Sequence, residues 1–311
     1  MWFRNLMVYR IPADWDLSAQ ALAEQLAPLA FTPASSIEES SLGWAPATPF
    51  DDSLVYEAGR QLLISLRLEK KLLPAKVIGQ FVKQRVEQLE AQDGFKPGRK
   101  RLKELKEQVR DELLPRAFSL SSETRAWIDP AHGWLVIDAA SQAKADELMT
   151  LLLKAVDGLP ARKLTVADSV AGAMTTWLVT DEAPSGFSVD QDAELRAREG
   201  KAKIRYANQT LEHEEIARHT KAGKECSRLA LTWADRISFM LGEKLEIRRL
   251  RPLDVIKEQT GNADIGEQER FASDFTLMTG ELTRLLDDLV NALGGLQPGT
   301  EMAKPTLRAA A

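Results

Sequence analysis

Arg125-Ala126-Trp127-Ile128-Asp129-Pro130-Ala131-His132-Gly133-Trp134-Leu135-Val136-Ile137 is the stretch that decides the fold. Aromatic and β-branched residues favour a pleated, half-buried surface. Two such runs flank Asp129–Gly133, whose Asp, Pro and Gly favour a turn. The pattern predicts a β-hairpin. Ser141 can cap a following helix that extends to about Val156. Arg162 to Val166 then reads as a returning strand, and Asp168 to Val179 as a shorter helix that carries Gly172. Strand, turn, strand and helix in that order predict an α+β layer.

Moving toward the N-terminus, Trp2 to Ile11 reads as a strand stopped by Pro12. Leu17, Leu22, Leu26 and Leu29 lie near helical spacing, with Ser18 as a candidate cap. Phe31 to Phe50, with Pro33, Gly43, Pro46 and Pro49, reads as turns around short extended pieces, in which Trp44 fills the core edge or anchors the loop. Leu62, Ile64, Leu66 and Leu68 alternate along a strand from Arg60 to Leu68. After Pro74, Lys76 to Ala91 is an amphipathic helix through Val77, Ile78, Phe81, Val82, Val86 and Leu89. A turn at Asp93–Gly98 leads to a second helix, Arg99 to Leu114, through Leu102, Leu105, Val109 and Leu113. Two helices across a short turn predict an antiparallel hairpin. It is too small to bury both apolar stripes alone, so it is expected to pack against the body or another subunit.

Toward the C-terminus, residues 181–200 are polar and turn-rich and read as a junction. Lys203 to Tyr206 is extended, and Glu212 to Lys221 is a short charged helix. Three strands follow at Leu229–Trp233, Ile237–Leu241 and Leu245–Leu250, with a turn at Gly242-Glu243. Phe275, Leu277, Met278, Leu282, Leu285, Leu286, Leu289 and Val290 predict a long packed helix from Phe271 to Leu293, ended by Gly294-Gly295. The expected division is a central α+β body over 1–75 and 117–180, and a basic helical hairpin over 76–116 as a candidate tip. A second α+β region covers 181–298 with the long helix, and a flexible tail covers 299–311.

The 311 residues are 44% apolar and 28% charged, a globular composition with length for more than one subdomain. No apolar run approaches the roughly 20 residues of a membrane-spanning helix. The opening Met1-Trp2-Phe3-Arg4-Asn5 lacks a basic region followed by an apolar one, so no export signal is expected. Cys226 stands alone, which excludes an intrachain disulfide and fits a reducing cytoplasm.

Enzyme signatures are sparse. Neither a Gly-x-Gly-x-x-Gly turn nor a Gly-Lys-Ser/Thr phosphate loop is present. His213 and His219 are six residues apart and fall on roughly opposite helical faces, and His132 lies in a turn, so no metal-binding histidine pair is expected. Cys226 lacks a neighbouring base and reads as a small buried residue. One arrangement favours a metal-dependent nuclease: Asp51 or Asp52 together with Glu69 and Lys71, which share a strand face. Carboxylates there would hold a divalent ion, and the lysine would orient water or stabilise phosphate charge. Such pairs are also ordinary at solvated strand ends.

The net charge of -5 conceals an excess of cations over residues 67–116, with 14 basic and 8 acidic side chains. At roughly 100° per residue, Arg99, Lys103, Lys106 and Arg110 fall within about 60° on the second hairpin helix. Lys76, Lys83, Arg85, Lys96 and Lys100 add charge nearby. Such a face can attract phosphates without reading bases. The interspersed Glu87, Glu90, Glu104 and Glu107 equally fit a protein-contact module or a solvated face laced with ion pairs.

The blocks Trp2-Phe3-Arg4-Asn5-Leu6-Met7-Val8-Tyr9-Arg10, Ala30-Phe31-Thr32-Pro33, Gly43-Trp44, Leu113-Leu114-Pro115-Arg116-Ala117-Phe118-Ser119, Trp127-Ile128-Asp129 and Phe275-Thr276-Leu277-Met278-Thr279-Gly280-Glu281-Leu282 occur in that order. Together they resemble the recombination-associated RdgC family. The resemblance spans nearly the whole chain. It implies an elongated α+β protomer that closes into a ring-shaped homodimer, a cytoplasmic, nucleoid-associated protein without enzymatic activity or cofactor. It further implies non-sequence-specific binding of double-stranded DNA, with single-stranded DNA as a second candidate, through a positively lined opening, and restraint of RecA-promoted strand exchange. Phe118 matches an aromatic position where the ring closes, and Asn208 and Gln209 match a polar pair near the same closure. Asn208 stands where the family pattern leads one to expect lysine, so an amide hydrogen bond replaces a charge-assisted one. Without the resemblance, Phe118 reads as a core residue.

Overall fold

The computed structural model describes residues 2–13, 15, 18–209, 211–259 and 266–297. Leu17 of the first expected helix and the expected tail over 299–311 lie outside them. The strands are β1 (Leu6–Arg10), β2 (Ser40–Ala45), β3 (Val55–Ala58), β4 (Gln61–Leu72), β5 (Phe118–Asp129), β6 (Trp134–Asp138), β7 (Arg162–Lys163), β8 (Phe187–Ala197), β9 (Lys203–Tyr206), β10 (Lys224–Trp233), β11 (Ile237–Gly242) and β12 (Ile247–Pro252). The helices are α1 (Ala19–Leu26), α2 (Ala75–Asp93), α3 (Arg99–Leu113), α4 (Gln142–Ala155), α5 (Val170–Thr180), α6 (His213–Lys221), α7 (Asp254–Gln259) and α8 (Glu267–Ala292).

The Trp127–Trp134 hairpin forms as read, with Ala126 opposite Ile137 and Asp129 opposite Trp134. Its turn is fixed by the Asp129 carboxylate, which accepts from the Ala131 and His132 amides at 3.0 and 3.1 Å. From this nucleus one antiparallel sheet extends in the order β2-β4-β5-β6-β1-β12-β11-β10-β8-β9. β3 lies end to end with β2 along the outer side of β4, and β7 pairs with β1. The sheet therefore runs without interruption through residues 181–200, where the turn-rich reading missed β8. β8 alternates apolar Phe187, Val189, Ala193 and Leu195 with polar partners, and it pairs with both β10 and β9.

Two apolar layers sandwich part of this sheet. One face, from β5 through β8, packs on α5, α6 and α8, with Trp127, Trp134, Leu231, Ile237 and Phe239 against Met174, Ile216, Phe275, Leu282 and Leu286. The opposite face packs on α1 and α4 over the first half only, through Met7, Ile64, Ile128 and Ile137 against Leu22, Leu26, Leu148 and Leu152. Strands β8–β12 contribute nothing to this second layer. Ser18 caps α1, Ser141 caps α4 and Ser169 caps α5, each side-chain oxygen accepting from a first-turn amide. Trp44 is buried to 1% exposure, a core residue.

Helix α8 crosses behind both halves. Trp233 Nε1 donates to Asp288 at 2.8 Å, and the Arg236 guanidinium grips the buried Glu281 carboxylate through two bonds of 2.8 and 2.9 Å. At the other half, Thr283 donates to Asp129 at 3.2 Å and Tyr56 meets Phe275 edge-to-face.

Candidate nucleic-acid interface

Helices α2 and α3 leave the sheet at Leu72 and return to it at Phe118, residues that face each other across β4 and β5. Pro74 precedes α2, and Gly94 ends it in the left-handed conformation (φ 78°) that a glycine adopts without steric cost. The pair contacts itself chiefly along one seam: Ile78 is the buried residue of α2, and Leu105 and Val109 are those of α3. Phe81, read from spacing as part of the apolar stripe, remains 44% exposed, and Phe95 in the turn is 69% exposed.

The cations divide by what they touch. Lys83 lies 3.9 Å from Glu87, Lys96 lies 4.0 Å from Glu90, and Arg85 reaches across to Glu112 on α3 at 3.0 Å. Arg110 pairs with Glu39 at 2.9 Å and ties α3 to the loop before β2. Lys76, Arg99, Lys100, Lys103 and Lys106 are exposed and enter no ion pair among the described residues. Arg99, Lys103 and Lys106 follow one another along a single face of α3, so the 60° cluster read from spacing persists with its fourth member, Arg110, engaged by the body.

Phe118 is 84% exposed. With Leu72 opposite it at 48% exposure and Leu120 two residues on at 58%, it forms an apolar patch on one face of the β4–β5 ribbon. Asn208 and Gln209 follow β9, the far edge strand of the sheet. Asn208 has φ 51°, and its amide donates to Asp192 at 2.9 Å, while Gln209 is exposed. Seven strand steps separate β5 from β9, about 34 Å at the usual interstrand spacing. Phe118 and Asn208 thus sit on opposite flanks of one protomer.

The acidic arrangement that favoured a nuclease is occupied otherwise. Glu69 accepts from the Ala34 amide at 3.0 Å, and this bond, followed by one from the Ser119 hydroxyl, holds its carboxyl below the usual range. Lys71 Nζ donates to the Ser35 and Ser36 carbonyls at 2.7 and 2.9 Å. Asp51 accepts from the Ser53 amide at 3.0 Å. These side chains fasten loops, and among the described residues no group of three His, Cys, Asp or Glu is placed to hold a metal ion. The histidines are dispersed over separate carboxylates: His132 on Asp129 at 2.7 Å, His213 near Asp181 at 3.4 Å and His219 near Glu215 at 3.8 Å. Cys226 is fully buried and its thiol is pushed up to about 12, chiefly by desolvation. No helix among the described residues is long and apolar enough to cross a membrane.

Sequence reasoning passed over Arg205, Arg228 and Arg251, exposed cations that line pockets on the uncovered face of β8–β12. The polar–apolar alternation from Phe187 to Ala197 was the available signal for that face.

These features define an α+β protein built on one large antiparallel sheet, whose candidate site is a charged surface. The family model described as "Putative exonuclease, RdgC" matches residues 1–296, and the chain belongs to the RdgC family. It is 56% identical over 298 residues to the recombination-associated protein RdgC of Herminiimonas arsenicoxydans, covering 96% of this chain and 99% of that protein. The protein of the same name from Janthinobacterium sp. (strain Marseille) is 56% identical over 296 residues, covering 95% and 98%. That of Burkholderia cenocepacia is 56% identical over 297 residues, covering 95% and 96%.

Proposed function

We propose that this protein is a non-enzymatic, non-sequence-specific binder of double-stranded DNA that acts in recombination as a homodimeric ring. The observation that carries the reading is the exposed row Arg99, Lys103 and Lys106, with Lys100 beside it, in no ion pair among the described residues on a protein of net charge -5. Flexible cations on a helix attract phosphates, and each phosphate neutralised releases counterions. Within α3 itself the row is accompanied by no aromatic side chain and by a single amide, Gln108, which supports low sequence preference. Family membership and the relatives' shared name support the association with recombination.

Ring closure is supported by the placement of its two halves. Phe118 and Asn208 lie on opposite flanks of one sheet, so contact between them requires two copies. In a two-fold dimer the Phe118 flank of each copy meets the Asn208 flank of the other, and two equivalent contacts enclose a passage. A duplex held in that passage, in the cytoplasmic nucleoid, obstructs RecA filament growth or access to the homologous strand by occupancy.

The test is a salt titration of binding to linear and closed circular duplex, combined with mass measurement. The expected results are a dimer, affinity that falls linearly in log–log form with salt, and salt-resistant retention of closed circles only. A monomer with salt-independent or absent binding overturns the reading, and points to a protein-interaction module.

The words "Putative exonuclease" motivate a second reading, in which Asp51, Asp52 and Glu69 serve a metal-dependent nuclease. Pure protein incubated with DNA and magnesium or manganese decides it. Cleavage lost on Asp51→Asn and Glu69→Gln replacement establishes the enzyme, and intact DNA excludes it under those conditions.

A further inference from the structure

Helices α2 and α3 form an arm with a small core of its own. Ile78, Leu105, Val109 and Leu114 are buried, yet they belong to neither of the apolar layers that flank the sheet. The chain enters the arm after Leu72 and leaves it before Phe118, so its two connections lie side by side at one end of the β4–β5 ribbon. Among the described residues, Arg110–Glu39 is the one ion pair that joins the arm to the sheet. Lys83, Arg85, Lys96 and Arg101 all pair within the arm.

The two ends of that pair are held differently. Glu39 sits on a fastened loop: its carbonyl accepts from the Lys71 amide at 2.8 Å, while Lys71 Nζ holds the Ser35 and Ser36 carbonyls and Glu69 holds the Ala34 amide. Arg110 rides on the arm. It meets Glu39 through Nε at 2.9 Å, whereas Arg85 grips Glu112 through two bonds. Both Arg110 and Glu39 are half-exposed, so water screens their attraction and the pair is open to exchange. Arg110 is also the fourth member of the cationic row, one helical turn beyond Lys106, about 6 Å along α3. A duplex lying on that row carries a phosphate roughly every 3.4 Å of its axis on each strand, so one comes level with Arg110. The same phosphates repel the Glu39 carboxylate beside it.

We propose that Glu39 is an autoinhibitory anion: it occupies Arg110 in the free protein, ties the arm to the sheet through it, and is displaced by a phosphate of bound DNA. The proposal rests on the DNA-binding reading above and gives that site a competitor built into the same chain. The exchange conserves charge at Arg110, where a carboxylate leaves the guanidinium and a phosphate takes its place. Arginine suits both partners because its planar fork fits carboxylate and phosphate alike. The counterion released from that phosphate is matched by one that the freed carboxylate takes up. This contact therefore adds little to the salt dependence of binding as long as Glu39 is present, and the loop bonds keep the carboxylate with the sheet when the arm lets go.

Two measurements on the full chain test it. In the first, carboxylates of the wild-type protein are labelled with a carbodiimide and an amine, with and without a short duplex of arbitrary sequence, and mapped by mass spectrometry. Glu39 is expected to label faster with duplex bound, because its cation has been taken. In the second, Glu39→Gln is compared with Glu57→Gln, which removes the same charge from β3 beside the other end of β4. Glu39→Gln is expected to bind duplex about two- to fivefold more tightly at low salt, with a salt slope steeper by about 0.9. Glu57→Gln is expected to leave the slope as it is. Glu39 labelling that stays constant or slows with duplex bound overturns the proposal, whether or not the variants fold. So does a folded Glu39→Gln protein with wild-type affinity and slope, or an equal gain from Glu57→Gln, which would assign the effect to net charge alone. Wild-type protein that binds no duplex removes the underlying DNA reading, and the competition at Arg110 with it.

Discussion

Phe118 is a large apolar side chain that one protomer leaves in water. Full burial of such a ring in a partner removes apolar area worth roughly 1.5–3 kcal/mol. Under the ring reading, Phe118→Ala leaves the protomer's melting temperature close to wild type, because the side chain supports little within its own chain. It loosens closure: crosslinking across the contact falls and closed circular DNA is released more readily in salt. An unaltered closure removes Phe118 as the anchor. Nothing in its immediate sequence distinguishes this residue from a core phenylalanine, since exposure is set by where β4 and β5 outrun the layers that cover the rest of the sheet. Cys226 and Trp44 were legible for the opposite reason, each lying where the ordinary preference for burial and the fold agree.

At the scale of elements, the α2–α3 pair separates cations by engagement. Among the described residues Lys103 and Lys106 enter no ion pair, whereas Arg110 is held by Glu39 at 2.9 Å. Replacing Lys103 and Lys106 with Ala is therefore expected to weaken binding to unrelated duplexes alike and to reduce the salt slope by about 1.8. Arg110→Ala is expected to change the slope less and to loosen the α3 attachment to the 35–39 loop. Equal slopes for the double variant and wild type would show that α3 does not face DNA. Elements were legible where a single period dominated: the second half of β5, β6, β9, β11, α4 and α8 follow spacing and turn chemistry closely. β8 was hidden because its outward half is charged and its flanks are turn-rich. β3 is four residues long, and the first half of β5 is an exposed ribbon without a buried face to pattern it. The cations of α2 and α3 could be counted in sequence, but which of them are neutralised depends on Glu39 and Glu112, brought near only by folding.

For the whole molecule, α8 is the common support of the two half-sheets. Leu285 is fully buried in the layer that includes Trp127 of one half and Leu231 of the other. Leu285→Ala is expected to cost about 2–5 kcal/mol and to lower a single unfolding transition. Loss of one half with retention of the other in denaturant would refute this coupling. The separation of Phe118 from Asn208 belongs to the same scale: strand order, which no local pattern discloses, puts them on opposite flanks.

That strand order also has a bearing on biosynthesis. β1 comes first among the strands yet lies at the middle of the sheet, bonded to β6 and, through Leu6, to Ile247 of β12. A ribosome adding roughly 5–20 residues per second takes on the order of 12–48 seconds to deliver β12. The edge of β1 on that side gains a first partner when β7 pairs with Tyr9 and Arg10, but its Leu6 end waits for β12, and a nascent chain in this condition is open to capture by chaperones or by the matching edge of another nascent chain.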